Sequence, residues 1–175
     1  MVIEATLPEA LARIGGGEVL LDHVVVPAEC APCADAPYRL EYAWMFHAER
    51  RVARTLDPWL VAHRGELVGP GGVLSEALAN AYRHGHGRDP RLPIRILVTR
   101  GARGLLVRIE DRGPGFDVAG TLHRFRAGKP YFDVAGGGLR ALAGTTRFGV
   151  FWSDGGRAVH LLHEFAATAA PAGRP

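Results

Sequence analysis

The stretch EALANAYRHG at residues 76–85 decides the fold, because one helix here carries an acid, an amide and an imidazole. We expect an α-helix from Val73 to Arg83, in which residues four apart share a face. Glu76, Asn80 and His84 therefore form a polar stripe that borders an apolar face of alanine and leucine. Such a stripe is typical of the wall of a cleft, although an exposed helix edge with an N-terminal acid fits this helix equally well.

The polar stripe offers groups that can bind a metal ion and accept a proton. The side-chain carbonyl oxygen of Asn80 is a hard ligand suited to Mg²⁺. Glu76, one turn away, can act as a general base on a water molecule or on a serine hydroxyl.

A second motif, DRGPG at residues 111–115, follows a predicted strand at residues 105–110. The Asp111 carboxylate can accept a hydrogen bond from the exocyclic amine of adenine, and a buried carboxylate needs such partners. Gly113 and Gly115 allow the backbone to turn tightly and to approach a purine closely. Taken alone, the motif also fits an ordinary Asp-Gly surface turn.

A third motif, GGGL at residues 136–139, opens a predicted helix at residues 139–143. Free backbone N–H groups at a helix start, together with the helix dipole, favour a phosphate there. A flexible linker is the alternative, but a linker has no need to open a helix. Lys129 or Arg126 in the preceding segment would be the cation nearest to a terminal phosphate.

The order of predicted elements indicates an α/β (α+β) fold, a two-layer sandwich with a mostly antiparallel sheet covered on one face by helices. The other face would be open or used for contacts. The predicted strands are 18–26, 94–99, 105–110, 147–152 and 158–165, and the predicted helices are 38–63, 73–83 and 139–143. A glycine- and charge-rich connection at residues 112–135, here called the lid segment, holds a short helical turn near residues 122–125. We expect an N-terminal appendage at residues 1–17, one domain at 18–165 and a disordered tail at 166–175.

Composition restricts the classes of function that the chain can have. With 175 residues the chain is the size of one domain, and its net charge of +3 comes from scattered arginines. That surplus fits a nucleotide, an acidic protein partner or simply a solvated surface, and it is too diffuse for direct binding of nucleic acid. The sequence has neither a long apolar run nor a signal peptide, so we expect a cytoplasmic protein with no membrane association.

The only cysteines, Cys30 and Cys33, lie in a proline-containing segment. A redox Cys-x-x-Cys pair normally opens a helix after a strand, and a zinc site needs two more ligands. His84 and His86 would be the candidates, but half a ligand set is weak support, and we assign no metal or redox role to this pair.

The three motifs together resemble the N, G1 and G2 nucleotide boxes of the GHKL ATPase and kinase superfamily, which includes gyrase B subunits, histidine kinases and anti-sigma serine kinases. The order matches, and the boxes fall on a helix, a strand end and a helix start. The resemblance covers residues 18–165 and implies the histidine-kinase-like ATPase fold. The short length and compact lid segment are most similar to bacterial anti-sigma factor serine/threonine kinases.

This resemblance implies ATP and Mg²⁺ as cofactors and gives each motif residue a role. Glu76 would be the catalytic base, Asn80 the Mg²⁺ ligand, and Asp111 the group that reads adenine. Gly113 and Gly115 would form the floor under the purine, and Gly136 to Gly138 the phosphate clamp. The implied nucleotide-binding residues are Asn80, His84, Asp111, Gly113, Gly115, Gly136, Gly137, Gly138 and Leu139.

The resemblance also implies a regulatory function in transcription. Family members bind a sigma factor, or transfer the ATP γ-phosphate to a serine of an antagonist protein, and they are often dimers. The chain would then be an ATP-dependent serine/threonine kinase with a sigma factor or an anti-sigma antagonist as partner, and would form a homodimer.

One departure from the family pattern leaves a second reading open. The family usually has Gly-Thr in the last hairpin, where the threonine helps to hold adenine, whereas this chain has Gly156-Arg157. Arg157 would either crowd the base or point away, so a non-catalytic protein-binding module with a weakened nucleotide pocket is the alternative. A third reading, a sensor histidine kinase fragment with His47 as phosphoacceptor, lacks the second helix of a dimerisation unit.

Overall fold

The computed structural model describes residues 1–30, 37–60, 63–69, 71–129 and 137–166. Its strands are β1 (Glu18–Val25), β2 (Ile94–Gly101), β3 (Gly104–Glu110), β4 (Gly149–Ser153) and β5 (Ala158–Glu164). They form one antiparallel sheet in the order β1-β2-β3-β5-β4. Helices pack on this sheet, so the expected α+β sandwich is confirmed.

The helices are α1 (Leu7–Ile14), α2 (Pro37–Leu60), α3 (Arg64–Leu67), α4 (Val73–Asn80), α5 (Val118–Arg126) and α6 (Gly137–Gly144). The clearest differences from the sequence-based expectation are at α4 and α5. The α-helix expected to reach Arg83 ends at Asn80 and continues as a π-type turn over Ala81–Gly85. The short turn expected in the lid segment is the full helix α5.

The larger core lies between one face of the sheet and helices α2, α4 and α6. Ile94, Ile96 and Val98 of β2 are fully buried, as alternation along a strand requires for one face. The helices contribute Trp44, Val52, Leu56, Leu74, Leu78 and Leu142 to the same cluster. This layer fixes α4 against the sheet, and α4 carries the first of the three motifs.

Helix α1 covers part of the opposite face of the sheet, which we expected to be open or used for contacts. Ala10 and Ile14 are completely buried, and they pack against Leu106, Phe151 and Leu162 in a second, smaller core. A capping box starts the helix, since the Thr6 N–H donates to a Glu9 carboxylate oxygen at 2.7 Å. The domain boundary at residue 17 stays a prediction, but α1 is packed on the sheet.

The residues ahead of α1 lie along the edge of β4. Val2 forms a parallel bridge with Val150, and the Ile3 N–H donates to the Val150 carbonyl oxygen at 2.9 Å. The N-terminal segment (residues 1–6) thereby covers an edge that would otherwise present unpaired backbone groups.

Some sequence-based expectations concern residues that lie outside the described ranges: Gly136, Cys33 and residues 167–175 of the predicted tail. No helix in the described part of the chain is long and apolar enough to cross a membrane.

Candidate functional site

A cavity of about 300 Å³ lies between α4, α5, α6 and the ends of β3, β4 and β5. Its apolar lining comes from Ala77, Ala81, Ile109, Leu122, Leu139, Leu142 and Val159, and its aromatic lining from Phe116 and Trp152. The polar side chains on its wall are those of Asn80, His84, Asp111 and Thr121. All three sequence motifs therefore contribute to a single concave site, which has the mixture of apolar wall and few polar groups typical of ligand pockets.

The first motif reaches this cavity through its second half. Asn80 is half-buried and His84 is exposed, and both line the cavity. Between them the π-type turn widens the helix, with the His86 N–H donating to the Ala81 carbonyl oxygen at 2.9 Å. Glu76 is half-buried one turn before Asn80 and is not among the described residues that line the cavity.

Asp111 is the buried acid of the site, with 9% of its surface exposed. Its Oδ1 accepts a hydrogen bond from the Gly113 N–H at 2.7 Å, and its own N–H donates to the Arg157 carbonyl oxygen at 3.0 Å. Burial raises the pKa of this carboxyl, while the Gly113 N–H and the Arg157 charge oppose the rise. A hydrogen-bond donor on a ligand would stabilise the carboxylate in this apolar setting.

Gly85 and Gly113 allow the first two motifs to lie in close contact. Gly85 packs against the Asp111 side chain, and Gly113 packs against the Gly85 backbone. A Cβ placed on Gly85 would lie 2.3 Å from Cγ of Asp111, and one placed on Gly113 would lie 1.9 Å from the Gly85 carbonyl oxygen. Gly113 is not among the described residues that line the cavity, and it packs behind the wall instead. The π-type turn thus positions the acid, and neither glycine can carry a side chain without movement.

His86 joins the same two segments and was not singled out from the sequence as a residue of this site. The Arg112 N–H donates to His86 Nε2 at 3.0 Å, so the imidazole acts as an acceptor and must be neutral. Burial lowers the pKa of His86, with the charge of Asp89 opposing, which favours this neutral form. No local pattern signals this contact, because its two partners are far apart in the sequence.

The C-terminal end of the second motif, at Gly115, packs against the turn between β4 and β5. Gly115 has a φ of +75°, and the Phe116 N–H donates to the Gly155 carbonyl oxygen at 2.9 Å. A Cβ on Gly156 would lie 2.5 Å from a ring carbon of Phe116, so the ring packs directly on this glycine. Gly115 and Gly156 both line the cavity.

Arg157 points away from the cavity in this structure. Its side chain is exposed, and its Nε donates to the Asp154 carbonyl oxygen at 3.0 Å. It is not among the described residues that line the cavity. The departure from the family pattern at this position therefore leaves the cavity open.

The third motif forms the start of α6. Gly137 and Gly138 lie in its first turn, and Leu139, 6% exposed, lines the cavity. Of the two cations expected nearest to a terminal phosphate, Lys129 is exposed, whereas Arg126 pairs with Glu4 at 3.2 Å. Neither Gly137 nor Gly138 is among the described residues that line the cavity, but both lie at the helix start, where free backbone N–H groups favour an anion.

The residues of the cavity fit a nucleotide, but they supply only part of the ligand set of a divalent ion. A buried carboxylate acceptor in an apolar wall suits a purine amine, and a helix start suits phosphate. Across the described residues there is no group of three or more His, Cys, Asp or Glu side chains that could hold a metal ion. Asn80 would hold Mg²⁺ only together with phosphate oxygens and water, which is the usual mode for this ion.

Comparison with known proteins agrees with this geometry. The histidine kinase-like ATPase domain family matches residues 72–168 of the chain. The chain is also 32% identical over 101 residues to the signal transduction histidine-protein kinase AfsQ2 of Streptomyces coelicolor. That match covers 58% of this chain and only 16% of the relative, so the chain corresponds to a small part of that protein.

The family match spans the π-type turn, the Asp111 turn and the start of α6, which are the segments that meet at the cavity. ATP binding follows from membership of an ATPase domain family with these segments in place. The chain therefore belongs to the histidine kinase-like ATPase domain family, within the GHKL superfamily.

Proposed function

We propose that the chain is an ATP-binding regulatory protein of the anti-sigma-factor type, a serine kinase that transfers the ATP γ-phosphate to a serine of an antagonist protein. The observation that carries the proposal is the convergence of three separate motifs on one cavity, with Asp111 buried in its wall. The match to the histidine kinase-like ATPase domain family supports the nucleotide part of the proposal.

Asp111 would hold the adenine end of the nucleotide. Its carboxylate is an acceptor without a donating group of its own, so it selects an amine at the purine edge over a carbonyl. Guanine nucleotides would place an oxygen there and be rejected. The test is calorimetric titration with Mg²⁺-ATP and Mg²⁺-GTP for the wild type and Asp111→Asn, with Asp22→Asn as the matched control. Asp22 is exposed and pairs with Arg95 at the surface, so its amide variant should bind ATP normally.

Asn80 and the start of α6 would hold the phosphate end. The amide oxygen of Asn80 would be the protein ligand of Mg²⁺, and the N–H groups of Gly137 and Gly138 would donate to phosphate oxygens. Mg²⁺, when bound, would neutralise charge on the phosphates and polarise the transferred group. These groups would position the phosphates and would not react themselves. Their loss should therefore weaken ATP binding and phosphate transfer together.

Glu76 would act on the protein substrate rather than on the nucleotide. It would accept the proton of the target serine hydroxyl as the serine oxygen forms its bond to the γ-phosphorus. The bond between that phosphorus and the bridging oxygen then breaks, and ADP leaves with the electron pair. Glu76 is half-buried and is not among the described residues that line the cavity, so the serine would reach it from outside the cavity.

The same position of Glu76 favours a second candidate function, a non-catalytic nucleotide- and protein-binding module. Incubation with radiolabelled ATP and the captured partner separates the two functions. Glu76→Gln should abolish transfer and spare partner binding if the chain is a kinase, whereas Glu29→Gln, an exposed control, should change neither. An acid-labile phosphate on His47, an exposed residue of α2, would instead indicate histidine kinase chemistry.

The proposed partner is a protein, either a sigma factor or its antagonist, bound by a homodimer of this chain. The exposed face of α2 supports a protein partner of acidic character. Phe46 is 54% exposed there, the Arg50 guanidinium lies 5.6 Å from its ring centre, and Arg51 and Arg54 are exposed nearby. Pull-down with the tagged chain, followed by sedimentation analysis of the complex, tests the partner and the dimer.

A further inference from the structure

Trp152 closes the cavity on the side away from Asp111. It is the next-to-last residue of the edge strand β4 and pairs across the sheet with Val159, which in turn pairs with Ile109. Ile109, Val159 and Trp152 therefore form one row across three strands, and all three line the cavity. Neighbouring strands lie about 4.8 Å apart, so this row spans roughly 10 Å from β3, the strand that leads into Asp111, to Trp152.

A second cavity of about 710 Å³ lies on the other side of Trp152. It is an open groove lined by the N-terminal segment, by helix α5 and by Glu9 and Phe151. Trp152 and Leu122 are the two described residues that line both cavities. These two side chains are therefore the partition between them.

The indole of Trp152 is held in place by its neighbours. It meets the Phe116 ring edge-on, with 6.2 Å between ring centres and an angle of 80° between planes. Phe116 in turn packs on Gly156, where no Cβ fits without displacing the ring. A wall braced in this way has a defined position and can exclude ligands by size.

We propose that Trp152 is a specificity-determining residue. Its indole limits the size of the substituent that a bound purine can carry at C8, on the side opposite the purine amine. This inference rests on the proposed function. With the amine at Asp111, C8 lies at the opposite end of the purine and would face the partition, whereas the sugar-bearing nitrogen beside it would face the phosphate end at Asn80 and α6. The cavity of about 300 Å³ is at the lower end of the range for ligand pockets, so the indole would limit the size of a substituent at C8. Removing the indole opens the site into the second cavity.

The test compares the binding of three nucleotides by wild type and Trp152→Ala: ATP, an 8-alkylamino ATP and N6-benzyl ATP. For each protein we take the Kd of 8-alkylamino ATP divided by the Kd of ATP. This ratio should be at least tenfold lower in Trp152→Ala than in the wild type. The N6-benzyl ratio should not change, because that substituent meets the Asp111 end. Trp59→Ala is the matched control, since Trp59 packs under Arg100 with 5.0 Å between guanidinium and ring centre and does not line the cavity.

Two further readouts keep the inference testable if Trp152→Ala folds poorly. Trp152→Phe retains an aromatic wall of smaller size and should give a partial fall in the same ratio. ATP should quench tryptophan fluorescence in the wild type and in Trp59→Phe, but not in Trp152→Phe.

The outcomes separate the inference from the function on which it rests. ATP binding with an unchanged 8-alkylamino ratio in both Trp152 variants overturns the inference and leaves the nucleotide site intact. Failure of the wild type to bind ATP overturns the proposed function and the inference with it.

Discussion

The contact between Gly85 and Asp111 makes Gly85→Ala a sharp test of how the site is built. An alanine Cβ would lie 2.3 Å from Asp111 Cγ, whereas ordinary contact begins at 3.4 Å. The acid must therefore move by about 1 Å, because carbon atoms repel steeply inside their contact distance. Gly85 does not have a positive φ, so alanine is allowed by the backbone and the effect is purely steric.

The displacement should affect both stability and binding. Overpacking of this kind costs about 1–3 kcal/mol in the free energy of unfolding. Loss of one hydrogen bond to a charged group costs about 1.5–3 kcal/mol, which corresponds to a rise in the ATP Kd of about 10- to 100-fold. We expect both changes in Gly85→Ala, measured by chemical denaturation and by calorimetric titration.

Gly65→Ala is the matched control for this experiment. Gly65 lies in α3, and a Cβ there meets nothing within 4 Å. Alanine in a helix is favoured over glycine by up to about 1 kcal/mol, so this variant should be as stable as the wild type or more so and bind ATP normally. If Gly85→Ala binds ATP as tightly as Gly65→Ala, Asp111 does not hold the nucleotide in the way we infer.

Four further predictions concern the metal, the acid, a buried histidine and Arg157. The wild type should bind ATP more tightly in Mg²⁺ than in EDTA, and Asn80→Ala should lose this difference. If the variant keeps the difference, Asn80 is not the Mg²⁺ ligand. Burial raises the folded-state pKa of Asp111, so its ionised form destabilises the fold at neutral pH. Asp111→Asn should thus match or exceed wild-type stability at pH 7 while losing ATP, and this advantage in unfolding free energy should vanish below the ordinary aspartate pKa. Burial lowers the pKa of His160 to about 4, so stability should fall as pH drops from about 6.5 towards that value. His160→Gln should reduce the slope of the unfolding free energy against pH by an amount that corresponds to up to one proton. An unchanged slope would contradict this reasoning. Arg157→Ala should change the ATP Kd less than about threefold, since Arg157 is exposed and its Nε contacts the Asp154 carbonyl oxygen.

The parts of the fold that sequence predicts well are those governed by local periodicity. The strands predicted at residues 94–99 and 105–110 are β2 (Ile94–Gly101) and β3 (Gly104–Glu110), and they pair as neighbours in the sheet. These features need only neighbours a few residues away, so the chain itself carries the signal.

The parts that sequence did not predict depend on contacts between distant residues. The π-type turn brings Gly85 close to Gly113, and nothing in the helical pattern of the sequence indicates it. His86 and Trp152 enter the site through partners from other elements. The roles of Glu76 and the phosphate clamp stay predictions, because they depend on molecules that bind the chain rather than on the fold.

The packing of α1 on the back of the sheet has a consequence for the order of folding. Residues 7–14 are far in sequence from Phe151 and Leu162, the partners on which they pack. Contacts between such distant segments form late, because a long loop must close before they contribute. Helix α1 should therefore slow unfolding far more than it speeds folding, and substitutions at Ile14 should shorten the lifetime of the native protein while leaving its rate of formation nearly unchanged.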